Sequence, residues 1–245
     1  MNNIYIPPVV KNLLIINVLF FIAKYIFESK GIQLEFYLGA MYFDSPLFKI
    51  WQPITYMFMH GGFTHILFNM FALYSFGSVI EGRWGAKRFL NFYLITGLGA
   101  LALQWAVQAV EVYGITGSVL NPGAVTIDIV KGIASLNLNG ISSEQGNTLL
   151  GIYSGPMVGA SGAIFGLLVA FGMLYPDAEL YIMFIPVPVK AKYIIPIYIL
   201  IELSLGVAQF QGDSIAHYAH LGGALIGFIL VRLWRHKNTF YDYYD

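Results

Sequence analysis

Cysteine is absent from the 245 residues. That excludes disulfides, thiolate nucleophiles and cysteine-based metal sites, and it leaves the redox compartment open. Charge is also scarce: Asp, Glu, Lys and Arg make up 11% of the chain, against about a quarter in an average soluble domain. Basic and acidic residues balance at 13 each, and no basic block suited to a phosphate backbone occurs, so nucleic acid is not an expected partner. The marks of a removable N-terminal signal are missing too. The apolar run from Asn12 lacks a small-residue cleavage site and an Arg-rich amphipathic character, so it reads as a retained membrane helix. What abounds is apolar surface, 58% of residues with a mean hydropathy of +0.68. So much cannot hide in one water-soluble core, and lipid is the expected solvent.

A helix rises about 1.5 Å per residue, so about 20 mostly apolar residues cross a hydrocarbon layer about 30 Å thick. Six segments qualify, near 11–27, 64–80, 89–110, 156–175, 192–209 and 214–231. Lys24 sits near one end of the first, where its stem can snorkel. The predicted fold is an all-α polytopic membrane bundle of six helices, one membrane domain over 1–245. An even count puts both termini on one side. That side collects Lys11, Arg83, Lys87, Arg88, Lys190, Lys192, Arg232, Arg235 and Lys237, and the other only Lys30, Lys49 and Lys131. The asymmetry predicts cytoplasmic termini and favours a bacterial-type plasma membrane. Two long connections face outside. Residues 29–63 are aromatic and suit the membrane interface, whereas 111–155 read as a solvated loop or a small ordered excursion. Pro186 to Val189 predicts an extended stretch, because proline disfavours helix in the residue before it.

Of five histidines, His236 lies in the basic tail, and His60, His65, His217 and His220 fall near the outer ends of the second and sixth segments. Ionisable groups at membrane depth tend to face a bundle interior or a wet cavity. Gly159-Ala160-Ser161-Gly162 opens the fourth segment. Alone, the tetrapeptide reads as helix packing. Its place at a helix start, where backbone N–H groups can receive negative charge, points to chemistry instead. A serine hydroxyl needs a base to take its proton, and histidine suits that task. Ala219, Gly223 and Gly227 form a smooth stripe beside His220, matched by Gly162 and Gly166 beside Ser161. Close packing of the two stripes would bring Ser161 and His220 together. His217 is then a supporting contact nearer the surface. His65 and Asn69, four residues apart, share one helix face and, with the Ser161 N–H, make a candidate oxyanion site.

Four stretches, in order, resemble the rhomboid intramembrane serine proteases: Trp51-Gln-Pro-Ile-Thr-Tyr-Met-Phe-Met-His60-Gly-Gly-Phe-Thr-His65-Ile-Leu-Phe-Asn69-Met70, Glu81-Gly-Arg-Trp84-Gly85, Gly159-Ala-Ser161-Gly162, and Ala219-His220-Leu-Gly-Gly223-Ala-Leu-Ile-Gly227. The similarity spans about 49–233. It implies a catalytic dyad of Ser161 and His220 without a third acid, an oxyanion site from His65 and Asn69, and a ring under the base at Phe165. Relatives often carry tyrosine at that last position, so a hydroxyl is missing here. A Trp-Arg pair of relatives reads Trp51-Gln52, which implies altered stability or lipid contact rather than lost activity. The resemblance further implies single-pass transmembrane substrates that approach laterally between the second and fifth helices. The position of 210–215 before the sixth helix, with Gly212, suggests a lid over Ser161; the charge-based topology opens the site to the extracytoplasmic side, and no metal or organic cofactor is implied. The sequence leaves the oligomeric state open.

Two rival functions are a non-catalytic rhomboid-like protein that retains membrane clients, and a transporter using Glu202. That acid lies midway along the fifth segment, where an ion path is one reading and a hydrogen-bonded acid facing the bundle is the plainer one. Nothing else in the sequence lines up with it. The protease reading therefore expects Ser161→Ala to abolish cleavage and Glu202→Gln to leave most of it.

Overall fold

A computed structural model of the chain describes residues 6–181, 187–208 and 216–238, the last four without their side chains. Helix α1, Pro8–Glu28, begins on a proline pair, whose fixed φ and missing N–H suit a first turn. Its free Val9 and Val10 N–H groups donate to the two oxygens of Glu81, at 2.9 and 2.8 Å. A buried carboxylate from another helix thus caps α1 where the helix dipole favours negative charge. The connection that follows holds two short helices, α2 (Glu35–Leu38) and α3 (Gln52–Thr55), and a 3-10 turn, Tyr56–Phe58.

Gln52 stitches this connection together. It is fully buried, its amide donates to the carbonyls of Leu47 and Phe36, and its oxygen accepts from the N–H groups of Lys49 and Met41. An arginine would supply donors only, so the Trp51-Gln52 pair is a different solution. Trp51 separately donates to the Tyr37 carbonyl at 2.9 Å.

Helices α4 (Phe63–Ala72) and α5 (Ser78–Trp84) run on through a π-turn, Leu73–Gly77. Gly85, at φ +77°, then turns the chain into α6, Ala86–Thr116. With 31 residues, α6 is about 46 Å long and outreaches a hydrocarbon layer. Its far end carries the excursion, which is ordered. Strands β1 (Val125–Asp128) and β2 (Ile133–Leu136) pair antiparallel, and α7 (Ser143–Ser154) starts from a capping box of Ser142 and Gln145. A second small core of Tyr42, Val112, Val125, Leu149, Ile152 and Tyr153 joins this excursion to the first connection. Asp44 fastens the joint by accepting from the Asn121 N–H at 2.6 Å and the Tyr153 hydroxyl at 2.9 Å.

Helix α8, Ser161–Leu174, has 14 residues and is about 21 Å long, shorter than the segment expected over 156–175. The chain before it stays extended, because Met157 bridges to Ala40 and Gly159 stands at φ +134°. After α8, strands β3 (Glu179–Tyr181) and β4 (Pro188–Lys190) form a hairpin, which contains most of the predicted extended stretch; Pro186 lies outside the described residues. Exposed Asp177, at the base of that hairpin, is held below the ordinary carboxylate range by hydrogen bonds from Lys192 and Lys190. Helices α9 (Ala191–Ala208) and α10 (His217–Asn238) complete the bundle. The expected lid, 210–215, lies outside the described residues.

Among the described residues, four helical stretches are long and apolar enough to cross a membrane: Pro8–Glu28, Phe63–Trp84, Ala86–Thr116 and Ala191–Ala208. Helix α8 is shorter, and α10 has the length but is diluted by His217, His220 and Arg232. The burial pattern departs from that of a water-soluble protein. Asn17, Lys24, Asn69, Thr96, Glu202, His217 and His220 are buried, while Leu19, Leu67, Phe71, Leu200 and Val207 are exposed. Polar atoms inside and apolar side chains outside suit a lipid solvent. Lys24 does not snorkel outward. Its ammonium meets Glu35 at 2.6 Å and the Gly61 carbonyl at 2.7 Å, and so pins the turn that leads into α4.

The two glycine stripes meet backbone to backbone. A Cβ on Gly223 would fall inside the Gly162 carbonyl, and one on Gly227 would stand 2.8 Å from the Gly166 Cα. Helix α6 closes the third side, since Cβ atoms on Gly162 and Gly166 would strike Ala100 and Thr96.

Gly223→Val should therefore force α8 and α10 apart, costing roughly 3 kcal/mol or more and lowering the thermal midpoint in detergent. Gln52→Ala should cost about 1–3 kcal/mol by leaving buried backbone groups unpaired, with activity per folded molecule retained.

Candidate functional site

Ser161 is the first residue of α8, reached through extended chain. First-turn N–H groups have no partner within their helix, so the Ser161 N–H stands beside its own hydroxyl as a ready donor. Ala160, just before it, is fully buried, which fixes where α8 starts.

His220 approaches from the first turn of α10, where the glycine contact holds that helix against α8. Its Nε2 lies 2.8 Å from the Ser161 Oγ. Phe165, one turn along α8 from Ser161, stacks on the imidazole with ring centroids 4.4 Å apart and planes 8° from parallel. Tyr198 of α9 also packs against Phe165, ring centroids 5.1 Å apart. The stack fixes the plane of the His220 ring. Phenylalanine offers no polar atom, so it cannot choose which nitrogen carries the proton.

That choice falls to a residue the sequence reading set aside. The Glu202 carboxylate, from α9, accepts from His220 Nδ1 at 2.8 Å and from His217 Nδ1 at 2.7 Å, both on its Oε2. The expectation that nothing lines up with Glu202 is thus corrected, because two histidines converge on it. With Nδ1 donating to the carboxylate, the neutral His220 ring presents its Nε2 lone pair to the Ser161 hydroxyl. The available signal was an acid inside an apolar helix. Its partners lie 15 and 18 residues away on another helix, and no local spacing links them.

Glu202, His217 and His220 have donor atoms within 4.8 Å of one another and are all buried, a set that zinc could use. The N···O separations of 2.7 and 2.8 Å are those of charge-assisted hydrogen bonds. Two ligands of one tetrahedral zinc stand roughly 3.3 Å apart. The arrangement fits hydrogen bonding.

His65 lies in the first turn of α4, its Nδ1 accepting from the Gly61 N–H at 3.4 Å. That places the ring proton on Nε2, which faces Gly159: a Cβ there would stand 2.9 Å from His65 Nε2 and 3.4 Å from Ser161 Oγ. Gly159 thus leaves an open notch between the donor and the hydroxyl. Buried Asn69 donates to the His65 carbonyl at 3.0 Å, and its amide has a second N–H to give. His60 packs edge-on to His65, ring centroids 5.0 Å apart, and its carbonyl accepts from Lys24. Of the residues singled out from sequence, Ser161, His220, Phe165, His217, His65, Gly159 and the glycine pairs converge here. His236 has no described side chain.

The family model for the rhomboid domain matches residues 47–237. The chain is 27% identical over 229 residues to rhomboid-like protein 11, chloroplastic, of Arabidopsis thaliana, an alignment covering 90% of this chain and 63% of that one. It is 28% identical over 171 residues to rhomboid protein 1, mitochondrial, of Saccharomyces cerevisiae, covering 69% and 38%. With the rhomboid protease GlpG of Haemophilus influenzae the identity is 28% over 133 residues, covering 50% and 69%. The alignments with the chloroplast and mitochondrial relatives span about two-fifths to two-thirds of those proteins' length. A match over most of its residues, with the four motifs in order, makes this chain a member of the rhomboid family.

Proposed function

We propose that the protein is an intramembrane serine endopeptidase that hydrolyses peptide bonds in or near transmembrane helices of other membrane proteins. The observation that carries this reading is the 2.8 Å contact between Ser161 Oγ and His220 Nε2, in a site lined by buried polar groups. In the proposed reaction Oγ attacks the scissile carbonyl carbon while its proton passes to Nε2. Negative charge gathers on the carbonyl oxygen, which the Ser161 N–H, the His65 Nε2–H and the Asn69 amide would stabilise. Collapse breaks the C–N bond, and Nε2 returns its proton to the departing amine. Water then attacks the acyl ester, His220 takes its proton, and Oγ recovers one on release.

The accompanying topology has six spans with both termini cytoplasmic, α8 and α10 being the fourth and sixth. The lysine and arginine asymmetry supports that orientation. The short α8 supports a site sunk below the outer surface, since a helix of about 21 Å cannot fill a layer about 30 Å thick. Single-pass substrates would approach between the α4–α5 rod and α9 and unwind locally. The slim seat of α9, which buries only Ala191, Ile195, Glu202 and Gly206 among its residues, supports that gate. The relatives' names span chloroplast, mitochondrion and a bacterium, so they give no support to a bacterial plasma membrane in particular.

The purified protein in detergent or nanodiscs, offered a tagged single-pass substrate, should release two fragments, and Ser161→Ala should release none. Substrate capture without product would instead favour a non-catalytic client binder. Gly159→Ala should lower kcat by about 10² or more and lower the melting temperature as well, because a methyl there fills the notch between His65 and Ser161 and the φ of +134° strains any side chain.

A further inference from the structure

We propose that Glu202 is the positioning acid of this site, so that the chain runs a three-residue Ser161–His220–Glu202 relay in which α9 supplies the third member. The inference rests on the protease reading and goes beyond the two-residue arrangement that the sequence resemblance implies. Its basis is geometric. Four side chains on three helices form one continuous hydrogen-bonded path: His217 Nδ1 to Glu202 Oε2 at 2.7 Å, His220 Nδ1 to the same oxygen at 2.8 Å, and Ser161 Oγ to His220 Nε2 at 2.8 Å. Every member but Ser161 is buried.

Each part has a definable task. The Phe165 ring holds the plane of the imidazole but leaves its two nitrogens equivalent. Glu202, acceptor-only as a carboxylate, makes them different, because Nδ1 must carry hydrogen to bond it. Nε2 is thereby the acceptor for the Ser161 proton. When that proton arrives, both nitrogens bear hydrogen, and the positive ring sits against a carboxylate in a medium where the attraction is little screened. No proton leaves Nδ1 in this cycle. His217 gives the same oxygen a second donor, which stabilises an ionised acid away from bulk water. The position often held by tyrosine in relatives is Phe165 here, and Glu202 takes over the polar orientation that a phenylalanine cannot give.

Location adds a consequence. Ser161 and His220 stand on α8 and α10, locked by the glycine contact, whereas Glu202 rides on α9, whose other buried residues are small or aliphatic. The relay is complete only while α9 lies against α10. An α9 that swings aside to admit a substrate helix withdraws the acid, and its return restores it.

The test compares wild type with Glu202→Gln and Glu202→Asp in nanodiscs, using a fluorogenic single-pass substrate and rates per folded molecule. Glu202→Gln should lower kcat by about 10²-fold or more, with KM within a factor of about three, and Glu202→Asp should recover part of the loss. Selective 15N-histidine labelling with solid-state NMR reads the same point without turnover. His220 should show a single Nδ1–H tautomer in wild type and a mixture in Glu202→Gln. A Gln variant with wild-type kcat, or an unchanged His220 tautomer, overturns the proposal, as does a loss confined to thermal stability. Failure of the protease reading looks different: the wild type itself then makes no product, while the tautomer measurement still decides what Glu202 does.

Discussion

The site depends on one steric constraint, the bare contact between Gly223 and the Gly162 carbonyl. No side chain intervenes there, so α8 and α10 stand as close as two backbones permit. Ser161 precedes Gly162 by one residue and His220 precedes Gly223 by three, so the packing distance of the helices sets the 2.8 Å between their side chains. Gly166 and Gly227 repeat the contact one turn further in, which fixes the crossing as well as the separation. In lipid there is little hydrophobic force to drive helices together, and close packing of small residues takes its place. Packing and chemistry are therefore written on the same two stripes.

Around that contact, four buried or half-buried polar side chains find their partners inside the protein. Glu81 caps α1, Lys24 holds the turn before α4, Gln52 ties four backbone groups, and Glu202 holds two histidines. Glu81 and Lys24 join elements distant in sequence, while Gln52 folds one connection onto itself. Without water, an unpaired group of this kind costs far more than it would at a soluble protein's surface, so each tie is also a constraint on geometry. The excursion after α6 adds a clamp of a different sort. Asp44 and the small core around Tyr42 and Tyr153 fasten 121–153 to the first connection, near the C-terminal end of α6.

The helical architecture was legible because apolar runs of about 20 residues carry their own explanation. The pairing of Ser161 with His220 was legible for a better reason: small residues at steps of four predict which helices touch. What sequence could not yield was anything set by side chains meeting across helices without a repeat to announce them. Glu202 looks isolated in the sequence because its partners lie on another helix, and the resemblance implies a dyad without a third acid. The start of α8 was set too early, since the extended chain from Pro156 to Gly159 is as apolar as a helix would be and only the φ of Gly159 betrays it. The excursion was open between loop and ordered unit because its strands are short and its core is completed by Tyr42 and Val112 from elsewhere.

The central claim is that His220 activates Ser161 as a nucleophile. The most direct measurement is the labelling of the protein in nanodiscs by a fluorophosphonate probe, with the adduct located by peptide mass spectrometry. The account predicts a single adduct on the Ser161 hydroxyl, slowed by about 10² or more in His220→Ala. An unlabelled Ser161, or labelling at the same rate without His220, would contradict it.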